Sequence, residues 1–178
     1  MIQKQQIMSP HDIVILLKIV SYGNEPWLQQ PLAESLGISQ SEVSKSLQRS
    51  RYAGLLDPKA KVIMKMALME FLQYGLRYVF PQKPGPVVRG VPTSHSASPL
   101  NAEIQASEAY VWPFAKGTVR GQSIIPLYPS VPAAALTDKH LHELLALTDA
   151  LRVGRAREKE MAIIELKKRL GIGKSFIP

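Results

Sequence analysis

This chain of 178 residues contains no cysteine. A disulfide framework, a thiolate metal site and a cysteine nucleophile are therefore excluded. It also lacks any apolar run near the roughly 18 residues that a membrane-spanning helix needs; Lys18 interrupts the longest candidate, Ile13 to Val20. The basic flank, apolar stretch and small-residue cleavage site of a signal peptide are missing from the first residues. A cytoplasmic, bacterial protein without membrane contact is the expectation. Histidine is scarce, and His140 and His142 stand two apart on an expected helix, where they point to different faces. Metal ligation on a helix needs a spacing of three or four, so neither a metal site nor any other cofactor is expected. No nucleophile, base and acid stand together: Thr93-Ser94-His95-Ser96 has hydroxyls beside an imidazole but no acid to orient the ring. No catalytic residue is assigned, and an enzyme is not expected.

What the chain does have is positive charge. Lys and Arg number 22 against 14 Asp and Glu, a formal net charge of +8, which favours polyanionic partners, nucleic acid first. Residues 1–90 hold 11 basic against 6 acidic side chains, residues 91–151 hold 3 against 5, and residues 152–178 hold 8 against 3. Two basic segments flank a slightly acidic middle. Hydrophobic residues, at 46%, are enough for a core.

Ser9-Pro10-His11-Asp12 starts a helix: Ser9 can cap, Pro10 suits the first position and Asp12 lies near the positive end of the dipole. Ile13, Leu16, Leu17 and Val20 follow at helical spacing. A second short helix is expected near Gln29 to Leu36, with Leu32, Ala33 and Leu36 inward. Gly37 supplies the freedom for a turn, and Ile38 plugs the core. Ser39-Gln40-Ser41-Glu42 reads as a capping box opening a third helix. Val43, Leu47 and Ser50 point inward. Gln40, Ser41, Ser44, Lys45, Gln48, Arg49 and Arg51 are left for the outside. Leu55 to Asp57, a basic tip with Lys59 and Lys61, and Val62 to Met64 make a minimal hairpin. Helix, Gly-containing turn and helix are the plan of a helix-turn-helix, whose second helix enters the DNA major groove.

The run Leu32-Ala33, Leu36-Gly37-Ile38-Ser39-Gln40-Ser41, Val43-Ser44, Leu47 and Ala53-Gly54-Leu55-Leu56 resembles the winged helix-turn-helix of the MarR/IclR kind, over residues 11–64. The resemblance implies that Gln40, Ser41, Ser44, Lys45 and Gln48 face DNA. It departs at the wing, which is short and whose tip has no arginine. Affinity is then expected from dimerisation and from other basic surfaces.

Lys65 to Phe80 reads as a fourth helix with Met66, Met69, Leu72 or Phe71, Leu76 and Val79-Phe80 as a broad apolar stripe. That stripe either completes the core or forms a dimer face. Residues 81–136 hold nine of the 14 prolines, which rules out long helices there. Val87 to Val91 and Ile124 to Tyr128 are expected to be extended. Tyr110-Val111-Trp112-Pro113-Phe114 is too aromatic for a solvated linker. An ordered segment wrapped over a protein surface is expected, anchored by Trp112 and Phe114. Base stacking by these aromatics beside Lys116 and Arg120 is the sharper reading and burial the plainer one. Thr137-Asp138 opens a helix to about Val153, Gly154 breaks it, and Arg155 to Leu170 forms another. Arg152, Arg155 and Arg157 belong to a basic cluster that is either a solvated face or a partner surface. Gly171-Ile172-Gly173-Lys174-Ser175 looks like the end of a phosphate loop, but Lys168 stands where the motif needs glycine.

The expected fold class is mainly α with a small β wing. Residues 1–80 form a winged helix-turn-helix, 81–136 a proline-rich, loop-rich wrapping segment, and 137–178 a helical hairpin. The expected function is sequence-specific binding of double-stranded DNA as a bacterial transcriptional regulator, a dimeric repressor. The alternative is an antitoxin-like protein that sequesters a partner enzyme and autoregulates its operon. The DNA-contacting candidates are Ser39, Gln40, Ser41, Ser44, Lys45, Gln48, Arg49, Arg51, Lys59 and Lys61. The partner-binding candidates are Trp112, Phe114, Arg152, Arg155 and Arg157.

Overall fold

A computed structural model describes residues 4–173. Helix α1 spans Pro10–Ser21. Its start is held by the Ser9 amide, which donates to Asp12 Oδ2 at 2.8 Å, while Pro10 has no amide hydrogen to leave unpaired. Helices α2, Gln29–Leu36, and α3, Gln40–Tyr52, follow. Gly37 turns the chain between them in the left-handed region, φ +63°, which side chains other than glycine adopt only with strain. The capping box at α3 is half formed. Ser39 Oγ accepts from the Glu42 amide at 3.2 Å, but the Glu42 carboxylate turns to Lys45 Nζ (3.6 Å) and His11 Nε2 (3.5 Å). A cation outcompetes an exposed amide that water can satisfy.

After α3 the chain forms only one isolated bridge, Leu56 to Ile63, rather than a pair of strands. The Asp57 carboxylate accepts from the Val62 amide (2.8 Å) and the Lys61 amide (2.7 Å). These bonds tie the tip into a tight turn and hold the carboxyl below its ordinary range. The expected single helix over 65–80 is divided at Gly75 into α4, Lys65–Tyr74, and α5, Leu76–Val79. Leu68, Met69, Leu72 and Leu76 face the core, but Met66 and Val79 do not join that stripe and stand exposed.

The proline-rich stretch is more structured than its composition implies. It holds strands β1 (Val87–Pro92), β2 (Tyr110–Pro113) and β3 (Val119–Ser123), and helix α6, Val131–Thr137. The first part of β1 pairs antiparallel with β3 and its end with β2, while β2 and β3 run parallel and close the set. The third strand lies just before Ile124 to Tyr128, the stretch expected to be extended. Pro126 has no amide for a ladder there. Gly90 permits the closure: a Cβ on it would overlap the Trp112 carbonyl. The strands therefore replace the hairpin after α3 as the principal β structure, and the fold is mixed α and β, with eight α-helices and a small three-stranded sheet among the described residues.

Helices α7, Lys139–Val153, and α8, Ala156–Arg169, pack on one another. Asp138 caps α7, accepting from the Leu141 amide at 3.0 Å. Every residue from Leu144 to Leu151 is buried, so α7 is a central helix rather than a surface one. It packs on α1, and one contiguous apolar core takes side chains from α1 to α5, β1, β2 and α6 to α8. Lys18, which breaks the apolar run of α1, reaches Asp138 Oδ2 at 2.6 Å. Ser130, before α6, donates to the Leu36 carbonyl at the end of α2.

Asp149 on α7 is 2% exposed. Its Oδ2 accepts from Thr93 Oγ1 (2.7 Å) and Trp112 Nε1 (2.6 Å), and its Oδ1 from Arg152 Nη1 (2.8 Å). Arg152 also donates to the carbonyls of Phe80 (3.0 Å) and Ile125 (3.2 Å). The burial of this charge is offset by three donors, one of them a cation, shared between both carboxylate oxygens. Removing it strands the guanidinium, the indole N–H and a hydroxyl in the interior.

Asp149→Ala should lower unfolding free energy by about 3–5 kcal/mol, and Trp112→Phe by about 1–2 kcal/mol, the cost of one donor lost to a charged acceptor; urea titration followed by circular dichroism measures both. Acid should weaken the fold. Burial pushes the Asp138 and Glu143 carboxyls up, but the Leu141 amide and Lys18 at the first, and the Ser98 hydroxyl and Arg169 at the second, outweigh it and leave both below their ordinary values. A depressed carboxyl stabilises fully above its unfolded pKa and loses that contribution as pH falls through the folded value. The melting temperature should hold from neutral pH to about 5 and fall below about 4.

Candidate nucleic-acid interface

Helix α3 sorts its side chains by the 3.6-residue period. Val43, Ser46, Leu47 and Ser50 are buried against α1 and α2. Gln40, Ser41, Lys45, Gln48 and Arg51 are exposed and Ser44 is half-buried. Apart from the long contact of Lys45 with Glu42, none of their side chains makes a hydrogen bond or ion pair among the described residues. Ser39 is exposed at the helix start, where the unpaired amides of the first turn and the helix dipole favour an anion. One surface thus presents two amide side chains, hydroxyls and two cations, most of their hydrogen-bonding capacity unused.

Arg49 does not belong to that surface. Its Nε donates to Asp12 Oδ2 at 2.9 Å and its Nη2 to Oδ1 at 2.7 Å, with Nη2 also 3.1 Å from His11 Nε2. The hydrogen bond to Asp12 raises the guanidinium pKa, against a smaller opposing effect of burial. Asp12 is fully buried and receives Ser9 on the same carboxylate. The pair clamps α3 to the start of α1, and the His11 ring lies 5.3 Å from that of Tyr128. Sequence reasoning placed Arg49 outside because nothing within a few residues of it shows where Asp12 falls. It also missed Asp12 and His11 as the groups that orient α3; Asp12 carried only the signature of a helix-start residue.

Lys59 and Lys61 are exposed at the hairpin after α3. The Lys61 ammonium lies 5.3 Å from the centre of the Trp27 ring, and Trp27 Nε1 donates to the Lys61 carbonyl at 3.3 Å, so the loop before α2 supports the hairpin. The candidates for partner contact divide. Trp112, 1% exposed, points into the core toward Asp149, and Phe114 is half-buried against the same core. Arg152, with its side chain 5% exposed, is an interior ion-pair partner. Neither Trp112 nor Arg152 is open to another protein; both are held by Asp149, a contact that no local pattern signals. Arg155 and Arg157 are exposed at the corner between α7 and α8.

Among the described residues no group of three or more His, Asp or Glu could hold a metal ion. His142 bonds the Pro92 carbonyl at 2.8 Å and lies against Trp112, and His95 bonds the Glu108 carbonyl at 2.9 Å. Of the segment resembling a phosphate loop, Lys174 and Ser175 lie outside the described residues. No described helix is long and apolar enough to cross a membrane. No protein-family model, no curated protein and no solved structure matches this chain.

The two adjacent residues Gln48 and Arg49 should behave oppositely. Arg49→Ala leaves a buried carboxylate unpaired and should cost about 3 kcal/mol of stability, whereas Gln48→Ala on the open face should stay within about 0.5 kcal/mol of the unaltered chain. Chemical denaturation of the two variants measures the contrast.

Proposed function

We propose that this chain binds double-stranded DNA sequence-specifically as a transcriptional regulator, with α1 to α3 and the following hairpin acting as a winged helix-turn-helix, and that it works as a dimeric repressor. The observation that carries this reading is the outer face of α3: exposed Gln40, Ser41, Lys45, Gln48 and Arg51 on a helix whose opposite face is buried. Glutamine can pair with the adenine edge and lysine or arginine with the guanine edge in the major groove. Ser39 and the first amides of α3 suit a phosphate. Lys59 and Lys61 add charge alongside.

The clamp from Asp12 to Arg49 and the bond from Ser130 to Leu36 support the reading, because a helix that reads base edges must keep its register. The reading is therefore of a protein that binds through this surface. The antitoxin-like alternative draws less support, since Trp112 of the middle segment and Arg152 of α7 are both turned into the chain's own core.

Lys45→Ala and Gln48→Ala should each weaken binding to an operator selected from random duplex DNA by about tenfold or more, as one lost base contact implies, with the melting temperature unchanged. Fluorescence anisotropy gives the affinities. The logarithm of the binding constant should fall steeply and linearly with that of salt concentration. Full affinity in both variants, or no duplex selected at all, would overturn the proposal.

A further inference from the structure

The outward face of the α4–α5 run gathers several exposed apolar side chains on one stripe. Met66, Tyr74 and Tyr78 are 70%, 67% and 71% exposed. With Glu70 and Arg77, also exposed, they recur at the three- and four-residue spacing of one helical stripe. Gly75 keeps right-handed backbone angles, φ −111° and ψ −38°, and the Val79 amide bonds the Gly75 carbonyl at 3.1 Å. The stripe therefore continues across the break. Behind it Leu68, Leu72 and Leu76 are buried, so the face is presented on a firm backing. A methionine and two tyrosines in water on one stripe leave apolar surface that association would remove.

The charges on the stripe say what covers it. Glu70 and Arg77 stand seven residues apart, about 10.5 Å along a helix axis, too far to pair with one another. Neither forms an ion pair among the described residues. Arg77 lies instead over the Tyr78 ring, 4.9 Å from its centre. Their midpoint falls between Gln73 and Tyr74. An antiparallel partner helix related by a twofold axis at that point brings each Glu70 opposite the other copy's Arg77, with Tyr74 near the axis and Met66 and Tyr78 flanking it. Such a patch is complementary to itself, as an isologous interface requires.

We propose that this face docks on the same face of a second copy of this chain. The contact supplies a surface for the dimer of the proposed DNA reading and rests on that reading only for its use; the readout contains no DNA, so the two can fail separately.

Sedimentation equilibrium of the full chain tests it. The mass should rise with concentration from 19.7 kDa toward twice that value. Glu70→Arg alone and Arg77→Glu alone set like charges against each other at both ends of the contact, and each should remain monomeric. The double variant Glu70→Arg with Arg77→Glu reverses both charges and should recover the dimer. Far-UV circular dichroism confirms the fold of all three, since both positions are exposed. A chain that stays monomeric at every accessible concentration, which would leave the face to a different protein, overturns the proposal. So does a dimer that the single reversals leave intact, or a double variant that stays monomeric.

Discussion

Asp149 is the buried charge on which the arrangement of the chain depends. It sits on the central helix α7, where three stretches of sequence converge: Thr93 and Trp112 from the strand-bearing segment, Arg152 from its own helix, and through Arg152 the carbonyl of Phe80 at the end of the N-terminal part. An unpaired carboxylate in the interior would cost several kcal/mol. The partners therefore have to arrive together, and their arrival sets the position of the strands against the helices. A proline-rich stretch with few helical hydrogen bonds of its own gains a defined place in this way.

The same logic acts at the other end of the core. Asp12 and Arg49 join α1 to α3, Lys18 and Asp138 join α1 to α7, and Ser130 holds the end of α2. These links span 37, 120 and 94 residues. They tie the two-helix unit bearing the open polar face to the remaining chain, within one core. On the proposed reading the face of α3 must keep its side chains in a fixed relation to one another, and polar links of this directional kind supply that relation where apolar contacts alone would permit sliding. Arg49 thus serves the face by leaving it.

Much of the helical framework could be read along the chain. The spacing of Ile13, Leu16 and Leu17, the cap at Ser9, the turn at Gly37 and the break at Gly154 each act within one or two turns of helix, so a short window contains the whole cause. The outer face of α3 was legible for the same reason: a buried stripe of Val43 and Leu47 leaves Gln40, Ser41, Lys45 and Gln48 on the other side. The extent of β1 was close to expectation, but β2 and β3 were not expected as partners. Strand pairing joins Val91 to Trp112 and Arg89 to Arg120, distances along the chain over which no periodicity carries information.

The sequence by itself determined where the helices begin and turn, which face of α3 is polar and that the chain is basic, because helix propensity, capping and amphipathic spacing are local and charge is additive. Only the tertiary structure decided that Arg49 and Arg152 are ion-pair partners of buried carboxylates, that Trp112 faces the chain's own core, and that Met66, Tyr74 and Tyr78 are left outside. An arginine or an aromatic ring has the same local signature in either place. Its location is settled by whether a carboxylate or an apolar surface from a distant segment meets it, and that meeting is a property of the folded chain.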